Sequence, residues 1–314
     1  MINWSDIERY GEKLHLSSRQ INSLRETFDA LDMDFFEKFI NLHVEKKFTE
    51  AEVKEHFSSD IEMHRFLLLS IIASYPQFEE FYRKSGYPEK MFDEISYDLA
   101  VWQEKMEDDY GTPCLDWRIY CWCLSVVKGE ILQFGRLQLN LCGYPFEHSI
   151  YRNNDNTLDV KFERCTEPRP DLTYGDKILN FHIPATGPLD VESCKASLKE
   201  MTAFFKKYRS DYDYKAICVF SWLLDPVYQK ILKPQSNIAK FQQLGHLFVI
   251  DGIDSTSETI WRLWDRRTRD TGLCRKNHPV LKSSIQKAVA EYIFNGGQMM
   301  EGAMIFFPDE IDGL

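Results

Sequence analysis

Residues 177–208 constrain the fold of this chain more than any other segment. A short apolar segment is followed by the turn sequence Pro-Ala-Thr-Gly-Pro and then by a long amphipathic stretch. Apolar residues of that stretch recur every three or four positions, which predicts a helix with one apolar face resting on a sheet. That face comprises Val191, Cys194, Leu198, Met201, Phe205 and Tyr208. The order is strand, turn, helix, with Asp190 as the predicted N-cap.

The turn of this unit is a candidate ligand site. The first N–H groups of a helix lack partners inside the helix and lie at the positive end of its dipole, so they attract a phosphate or a carboxylate. We therefore consider Ile183 and the amides of Thr186 and Gly187 as ligand-binding candidates, with an ordinary tight turn as the equal alternative.

Two side chains beside the turn are candidate bases. His182 ends the predicted strand, where sites gather in open α/β sheets, and a neutral imidazole there can take a proton from an amine. The alternative is a structural histidine that fixes the turn by hydrogen bonding. Glu192 is a candidate base if it faces a cleft, although a carboxylate in a first helical turn more commonly stabilises the helix dipole.

The pattern changes along the chain. Residues 1–132 show stripes of apolar residues at helical spacing, broken by turn sequences at 85–88 and 111–113, which predicts an all-α region ending in a helix over 116–132. From 136 the residues alternate between polar and apolar, which indicates a strand with one buried face. Strands and helices then follow one another to the end. The strands lie over 215–222, 246–250 and 303–307, and the helices begin at Pro226 or lie over 236–244 and 280–294. We predict two domains, 1–132 and 133–314, the second with a mixed α/β sheet.

Composition excludes several classes of function. The chain has 38 basic and 49 acidic residues, giving a net charge of -11, and no run of Lys or Arg stands out. We therefore expect no nucleic-acid partner. The longest apolar run, 66–73, is too short to span a bilayer, and the first ten residues lack the features of a signal peptide. We expect a soluble, cytoplasmic protein with no membrane partner.

The eight cysteines are scattered, without a Cys-x-x-Cys pair and mostly among apolar neighbours. This distribution predicts reduced core residues, and it predicts no metal site.

A set of short sequences resembles one known family. They are Gly135-Arg136-Leu137-Gln138, Gly175-Asp176, His182-Ile183-Pro184, Gly187-Pro188-Leu189, Ser221-Trp222-Leu223-Leu224-Asp225-Pro226 and Ser236-Asn237-Ile238. In this order they are similar to the two-domain acyltransferase-like family that joins a helical N-acyltransferase N-terminal domain to a GNAT-like C-terminal domain. The resemblance covers most of the chain.

The resemblance implies transfer of an acyl group from acetyl-CoA or another acyl-CoA to an amine. It assigns Leu189 and Asn237, with Ile183, Thr186 and Gly187, to binding of the carrier. The GNAT pyrophosphate loop follows a Q/R-x-x-G-x-G/A pattern, and here Pro184 stands where Gln or Arg belongs.

Many GNAT enzymes protonate the departing thiolate with a Tyr four residues before a Gly. Phe241 holds that position here, before Gly245, and cannot donate a proton. Tyr228 or a water is then the candidate donor. The alternative function is a non-catalytic GNAT-like module that binds a ligand or a partner protein. A hydrolase, the third possibility, requires a nucleophile beside a base, which the sequence does not show.

Overall fold

The computed structural model describes residues 2–45 and 48–314. Contacts divide them into two compact units, and the boundary along the chain lies between Gln133 and Phe134. The first unit is helical. Its helices are α1 Trp4–Lys13, α2 Ser18–Ser23, α3 Arg25–Asp29, α4 Met33–His43, α5 Glu50–Lys54, α6 Asp60–Ala73, α7 Tyr75–Ser85, α8 Glu89–Ser96, α9 Asp98–Tyr110 and α10 Trp117–Val127.

Helix α6 forms the centre of this unit. It is apolar on all sides, its residues from Phe66 to Ala73 are buried, and it packs against α1, α3, α4 and α10. A helix that is apolar all round is stable in water only when other helices cover it. The apolar run of 66–73 is therefore the core of a bundle. None of the described helices is long and apolar enough to cross a lipid bilayer.

The second unit contains a mixed sheet. Six strands lie in the order β1-β2-β6-β7-β9-β8, and a small second sheet has the order β4-β3-β5. The strands are β1 Ile131–Phe134, β2 Leu137–Gly143, β3 Ser149–Arg152, β4 Leu158–Lys161, β5 Leu172–Thr173, β6 Lys177–His182, β7 Ala216–Ser221, β8 His246–Asp254 and β9 Met300–Phe306. The helices are α11 Val191–Tyr208, α12 Tyr228–Ile231, α13 Asn237–Phe241, α14 Thr256–Leu263, α15 Arg266–Thr271 and α16 Ser284–Phe294.

The two sides of the large sheet are covered differently. Helix α11 contacts β2 and buries Leu198, Met201 and Phe205, as its stripe predicts. On the other side, Ile150 and Leu172 of the small sheet join a core cluster with β6, β7 and β9. The predicted fold class, a helical region followed by a mixed-sheet domain, is confirmed.

Several predicted boundaries are wrong for local reasons. The helix expected over 116–132 ends at Val127, because Gly129 adopts φ +68° and turns the chain into β1. A Cβ on Gly129 would lie 2.0 Å from the ring of Phe81, so glycine is required there. The two helices expected from Pro226 and over 236–244 are both present but shorter, as α12 and α13, and between them Leu232 is extended and Pro234 follows closely.

Cysteine placement also departs in part from expectation. Cys114, Cys123, Cys194 and Cys218 are buried, as predicted, whereas Cys121 and Cys274 are exposed. The prediction that the cysteines are core residues is therefore wrong for these two.

A buried histidine network joins three helices of the first unit. His43 Nε2 lies 2.8 Å from Ser74 Oγ, and His43 Nδ1 lies 3.0 Å from Tyr120 Oη. Ser74 already donates its hydroxyl proton to the carbonyl of Ser70. The neutral imidazole therefore donates from Nε2 to Ser74 and accepts at Nδ1 from Tyr120. Burial lowers the pKa of His43 to about 4.

This network predicts acid sensitivity. The unfolded chain binds a proton on His43 near its ordinary pKa of about 6.5, while the folded chain binds it only near 4, so stability falls as pH drops between these values. We expect the His43 contribution to be about 3 kcal/mol of unfolding free energy lost from pH 7 to pH 4. Urea unfolding of the wild type and of His43→Gln at both pH values measures it.

The variant is expected to be less stable at pH 7 and to have a shallower dependence on pH. His278→Gln, which alters an exposed histidine, is the matched control. Equal pH dependence of the wild type and His43→Gln would contradict the assignment.

Candidate active site at the carboxyl end of the parallel strands

The two parallel strands of the large sheet separate at their carboxyl ends. Strands β6 and β7 pair at Ile178–Ala216, Leu179–Ile217 and Asn180–Cys218, and there the ladder ends. Both strands continue, β6 to His182 and β7 to Ser221. Beyond Asn180 and Cys218, the backbone N–H and C=O groups of β6 and β7 that face each other are therefore outside the ladder. This leaves a gap between the edges of the two strands.

The cause of this separation lies on the far side of β7. Pairing of β7 with β9 continues to Ser221–Gly302, so the end of β7 stays with β9. The 3₁₀ turn that follows, Trp222–Leu224, packs directly over Gly302, where a Cβ would lie 2.2 Å from the carbonyl oxygen of Leu224. Asp225 then accepts a hydrogen bond of 2.7 Å from the N–H of Met300. The chain after β7 is therefore held on β9 and away from β6.

His182 lies at the mouth of this gap within a polar group on β2 and β6. Its Nε2 is 2.7 Å from Oδ1 of Asn140, the residue that pairs with Asn180 across the two strands. The same Oδ1 accepts from Asn180 Nδ2 at 2.9 Å. Since this oxygen accepts, the neutral imidazole carries its proton on Nε2, and Nδ1 holds the lone pair.

The charge state of His182 follows from its surroundings. Burial, with a smaller effect from the positive charge of Arg262, lowers the pKa of His182 to about 4. The imidazole is therefore neutral near pH 7. It is also a weak base, so it does not retain a proton at that pH.

Glu301 is a second ionisable group on the same side of the sheet. Glu301 lies two residues before Ala303 of β9, and Ala303 pairs with Phe220 of β7. Phe220 lies two residues after Cys218, which pairs with Asn180 of β6. Side chains alternate along a strand, so Glu301 and His182 lie on one side. Burial, and secondarily the charge of Glu258, raise the pKa of Glu301 to about 7, against the opposing effect of Arg262.

Glu301, Asn140 and Asn180 are not among the site residues predicted from the sequence. One signal was available for Glu301, because it is a lone acidic residue directly before the apolar run that ends the sheet. A carboxylate in such a run is costly to bury and therefore marks a functional or paired position. The predicted strand began at Ala303, which excluded it.

The turn between β6 and α11 is held by an arginine from the β1–β2 hairpin. Arg136 donates from Nε to the carbonyl of Pro188 at 2.8 Å, from Nη1 to that of Pro184 at 2.8 Å, and from Nη2 to that of Gly187 at 3.0 Å. These three bonds gather the carbonyl oxygens of the turn around one guanidinium. Burial lowers the pKa of Arg136, but its ordinary value is so high that the group remains a cation.

The N–H groups of the turn differ in availability. In residues 2–45 and 48–314, those of Thr186 and Gly187 have no hydrogen-bond acceptor. At the helix start the Asp190 carboxylate accepts a hydrogen bond of 2.7 Å from the Ser193 hydroxyl and one of 2.8 Å from the Ser193 N–H. These two bonds, the hydroxyl bond first, lower the pKa of Asp190. An anion at this turn would therefore meet the amides of the turn and the charge of Arg136, with part of the helix end already capped.

The remaining sequence candidates lie in different surroundings. The Glu192 side chain is 80% exposed, and its carboxylate pairs with Lys195 at 3.2 Å. Tyr228 is fully buried in a cluster with Leu232 and Val289, and burial raises its pKa. Of the other three carrier-binding candidates, Ile183 is half-buried and Leu189 is buried, whereas Asn237, the first residue of α13, is exposed.

Metal binding has no counterpart in the described part of the chain. Across it, no three His, Cys, Asp or Glu side chains are placed to hold a metal ion. The site itself comprises His182, Glu301 and Arg262, the two asparagines, and the turn that Arg136 holds.

Comparison with known proteins identifies the fold. Residues 131–306 match the family model described as GNAT-like C-terminal domain. The curated proteins gave no match. Among solved structures, the chain is similar to an acyltransferase in complex with decanoyl-CoA and teicoplanin, at 17% identity and TM-score 0.67, covering 94% of this chain and 86% of the other.

A second structure, an acyltransferase in complex with decanoyl-CoA, is 17% identical with TM-score 0.58 and covers 96% of this chain and 99% of the other. At this identity the likeness concerns the fold, which extends over the helical region as well as the sheet. The predicted architecture, a helical N-terminal region joined to a GNAT-like C-terminal domain, is confirmed, and the chain belongs to the family defined by the GNAT-like C-terminal domain.

Proposed function

We propose that this protein transfers an acyl group from a coenzyme A thioester to an amine. The observation that carries the proposal is the gap between the ends of β6 and β7, with His182 at its mouth, in a GNAT-like domain. A strand edge outside the ladder offers N–H and C=O groups to an extended ligand that contains amides. The pantetheine arm of coenzyme A is such a ligand.

The turn is the proposed site for the phosphates of the carrier. The amides of Thr186 and Gly187 supply hydrogen-bond donors, and Arg136 supplies a positive charge at the same turn. Arg136 takes the place of the Gln or Arg that is absent at Pro184, although it comes from a distant part of the chain. Ile183 and Leu189 border this path, and Asn237 remains a further candidate for contact with the carrier.

The amine must lose a proton before or during its attack on the thioester carbonyl. Glu301, with a pKa of about 7, is partly ionised near neutral pH and is suited to take the proton of an ammonium group. His182, neutral at that pH, is suited to align the amine at the mouth of the gap. The new C–N bond forms as the C–S bond breaks, and the departing thiolate takes the second proton that the nitrogen releases.

The length of the acyl group is part of this proposal. Solved structures with this fold contain decanoyl-CoA or octanoyl-CoA, so a medium-chain acyl-CoA is the first donor to test, with acetyl-CoA as the short-chain comparison. The acceptor is proposed only as a primary amine.

A non-catalytic binding module is the second candidate. The Asp190 cap occupies part of the helix end, and fully buried Phe241 stands where many GNAT enzymes have a tyrosine. Binding of acyl-CoA without turnover in the presence of varied amines would favour the module.

We expect Gly187→Asp to weaken carrier binding at least tenfold without unfolding the protein, because it adds a negative charge where a phosphate would bind. Isothermal titration with decanoyl-CoA measures the effect. Gly296→Asp adds the same charge at another glycine with a positive φ and open space around it, and is the matched control. Unchanged affinity in Gly187→Asp would remove the turn from the site.

We expect His182→Ala to lower turnover by a factor of about 100 or more while changing decanoyl-CoA affinity little, since the imidazole acts on the amine in the transition state. Steady-state kinetics and titration of the same preparation separate the two effects. His56→Ala, at an exposed histidine of the helical unit, should retain wild-type turnover. Normal activity of His182→Ala would leave the residue a structural role only.

The pH profile tests Glu301. We expect kcat/KM to rise with pH around an inflection near 7 that is independent of the pKa of the amine used, and to lose this inflection in Glu301→Gln. The charge of Glu258 raises the pKa of Glu301, so Glu258→Gln should move the inflection to lower pH. An inflection that persists in Glu301→Gln would assign the titration to another group.

A further inference from the structure

The segment between β8 and β9 is rich in positively charged residues. Residues 262–287 contain eight Lys or Arg and two Asp, a net charge of +6 in a chain of net charge -11. The basic residues are interleaved with neutral ones, which is why no run of Lys or Arg marks the segment in the sequence. The rest of the chain, with 30 basic and 47 acidic residues, is strongly acidic.

Several of these cations are exposed and lack an acidic partner. Arg262 pairs with Glu258, Arg266 and Arg269 contact Asp270, and Arg275 contacts Glu291. Arg267, Lys276, Lys282 and Lys287 are exposed, and within residues 2–45 and 48–314 none of the four forms an ion pair. These four uncompensated charges make the segment electropositive, and a positive segment attracts anions.

Two aliphatic side chains project from the same segment. Val280 and Leu281 are 55% and 38% exposed, and they are adjacent in the loop that precedes α16. Lys276 and Lys282 flank them. An apolar pair bordered by lysines is the arrangement by which peripheral proteins enter the boundary between lipid headgroups and acyl chains.

The loop is fixed in this position. Trp264 donates from Nε1 to the carbonyl of Val280 at 2.7 Å, which ties the loop to the end of α14. On the other side, Gln286 Oε1 accepts from the N–H groups of Lys282 and Ser283 at 2.9 and 3.0 Å. The aliphatic pair is thus presented at the surface by hydrogen bonds on both sides of it.

We propose that residues 262–287 bind the surface of an anionic membrane, with Val280 and Leu281 inserted among the headgroups and the four uncompensated cations facing anionic lipids. The charge of the segment is complementary to such a surface, and the exposed aliphatic pair distinguishes a lipid surface from a nucleic acid or an acidic protein. This proposal departs from the expectation of no membrane partner, which rested on the lack of a spanning segment and of a signal peptide, because a peripheral contact requires neither. It does not depend on the proposed transferase activity.

Vesicle sedimentation of the full chain tests the proposal. We expect binding to vesicles of three parts phosphatidylcholine to one part phosphatidylglycerol, weak binding to pure phosphatidylcholine, and loss of binding in 0.5 M NaCl. Lys276→Gln with Lys282→Gln should lower the partition coefficient about 25-fold, since each cation near the surface contributes about fivefold. Lys206→Gln with Lys207→Gln, an exposed pair on α11, is the control and should bind as the wild type does.

The aliphatic pair is tested separately. Val280→Ser with Leu281→Ser should lower binding to the anionic vesicles at least tenfold while preserving the circular dichroism spectrum, because both side chains are exposed. Binding to a single-stranded oligonucleotide is measured in parallel. Failure to bind anionic vesicles, or vesicle binding that survives the serine changes, would overturn the proposal. So would tighter binding to the oligonucleotide than to vesicles.

Discussion

The site depends on one feature of the sheet, the early end of the β6–β7 ladder at Asn180 and Cys218. Parallel strands that remained paired to their ends would leave no backbone edge for a ligand and no room beside His182. Strand β7 is instead held on β9 beyond this point, by the ladder to Gly302 and by the Asp225–Met300 bond. The gap is therefore a consequence of how β7 ends.

Burial shifts the pKa values of two ionisable side chains beside the gap in opposite directions. Burial keeps His182 neutral, and it raises the pKa of Glu301 toward neutrality. Arg262 lowers the pKa of both. Proton transfer is served by such a pair, in which one group has a pKa near neutral pH and the other stays uncharged.

The turn before α11 is held by a residue from a distant part of the chain. The family pattern predicts a Gln or Arg within the loop itself, and the loop has Pro184. The guanidinium arrives from Arg136, which is 48 residues away in sequence and binds three carbonyls of the turn. A motif search along the loop could not find it, because the chemistry depends on position in space.

Sequence alone determined the local elements and the class of fold. The spacing of apolar residues from Val191 to Tyr208 and the Asp190 cap defined α11, because helix periodicity and capping involve residues a few positions apart. The tertiary structure decided the site: Asn140 beside His182, Glu301 on the same side of the sheet, and Arg136 at the turn. These contacts join residues that are 42 or more positions apart. Strand order and register set such contacts, and periodicity within one segment carries no information about either.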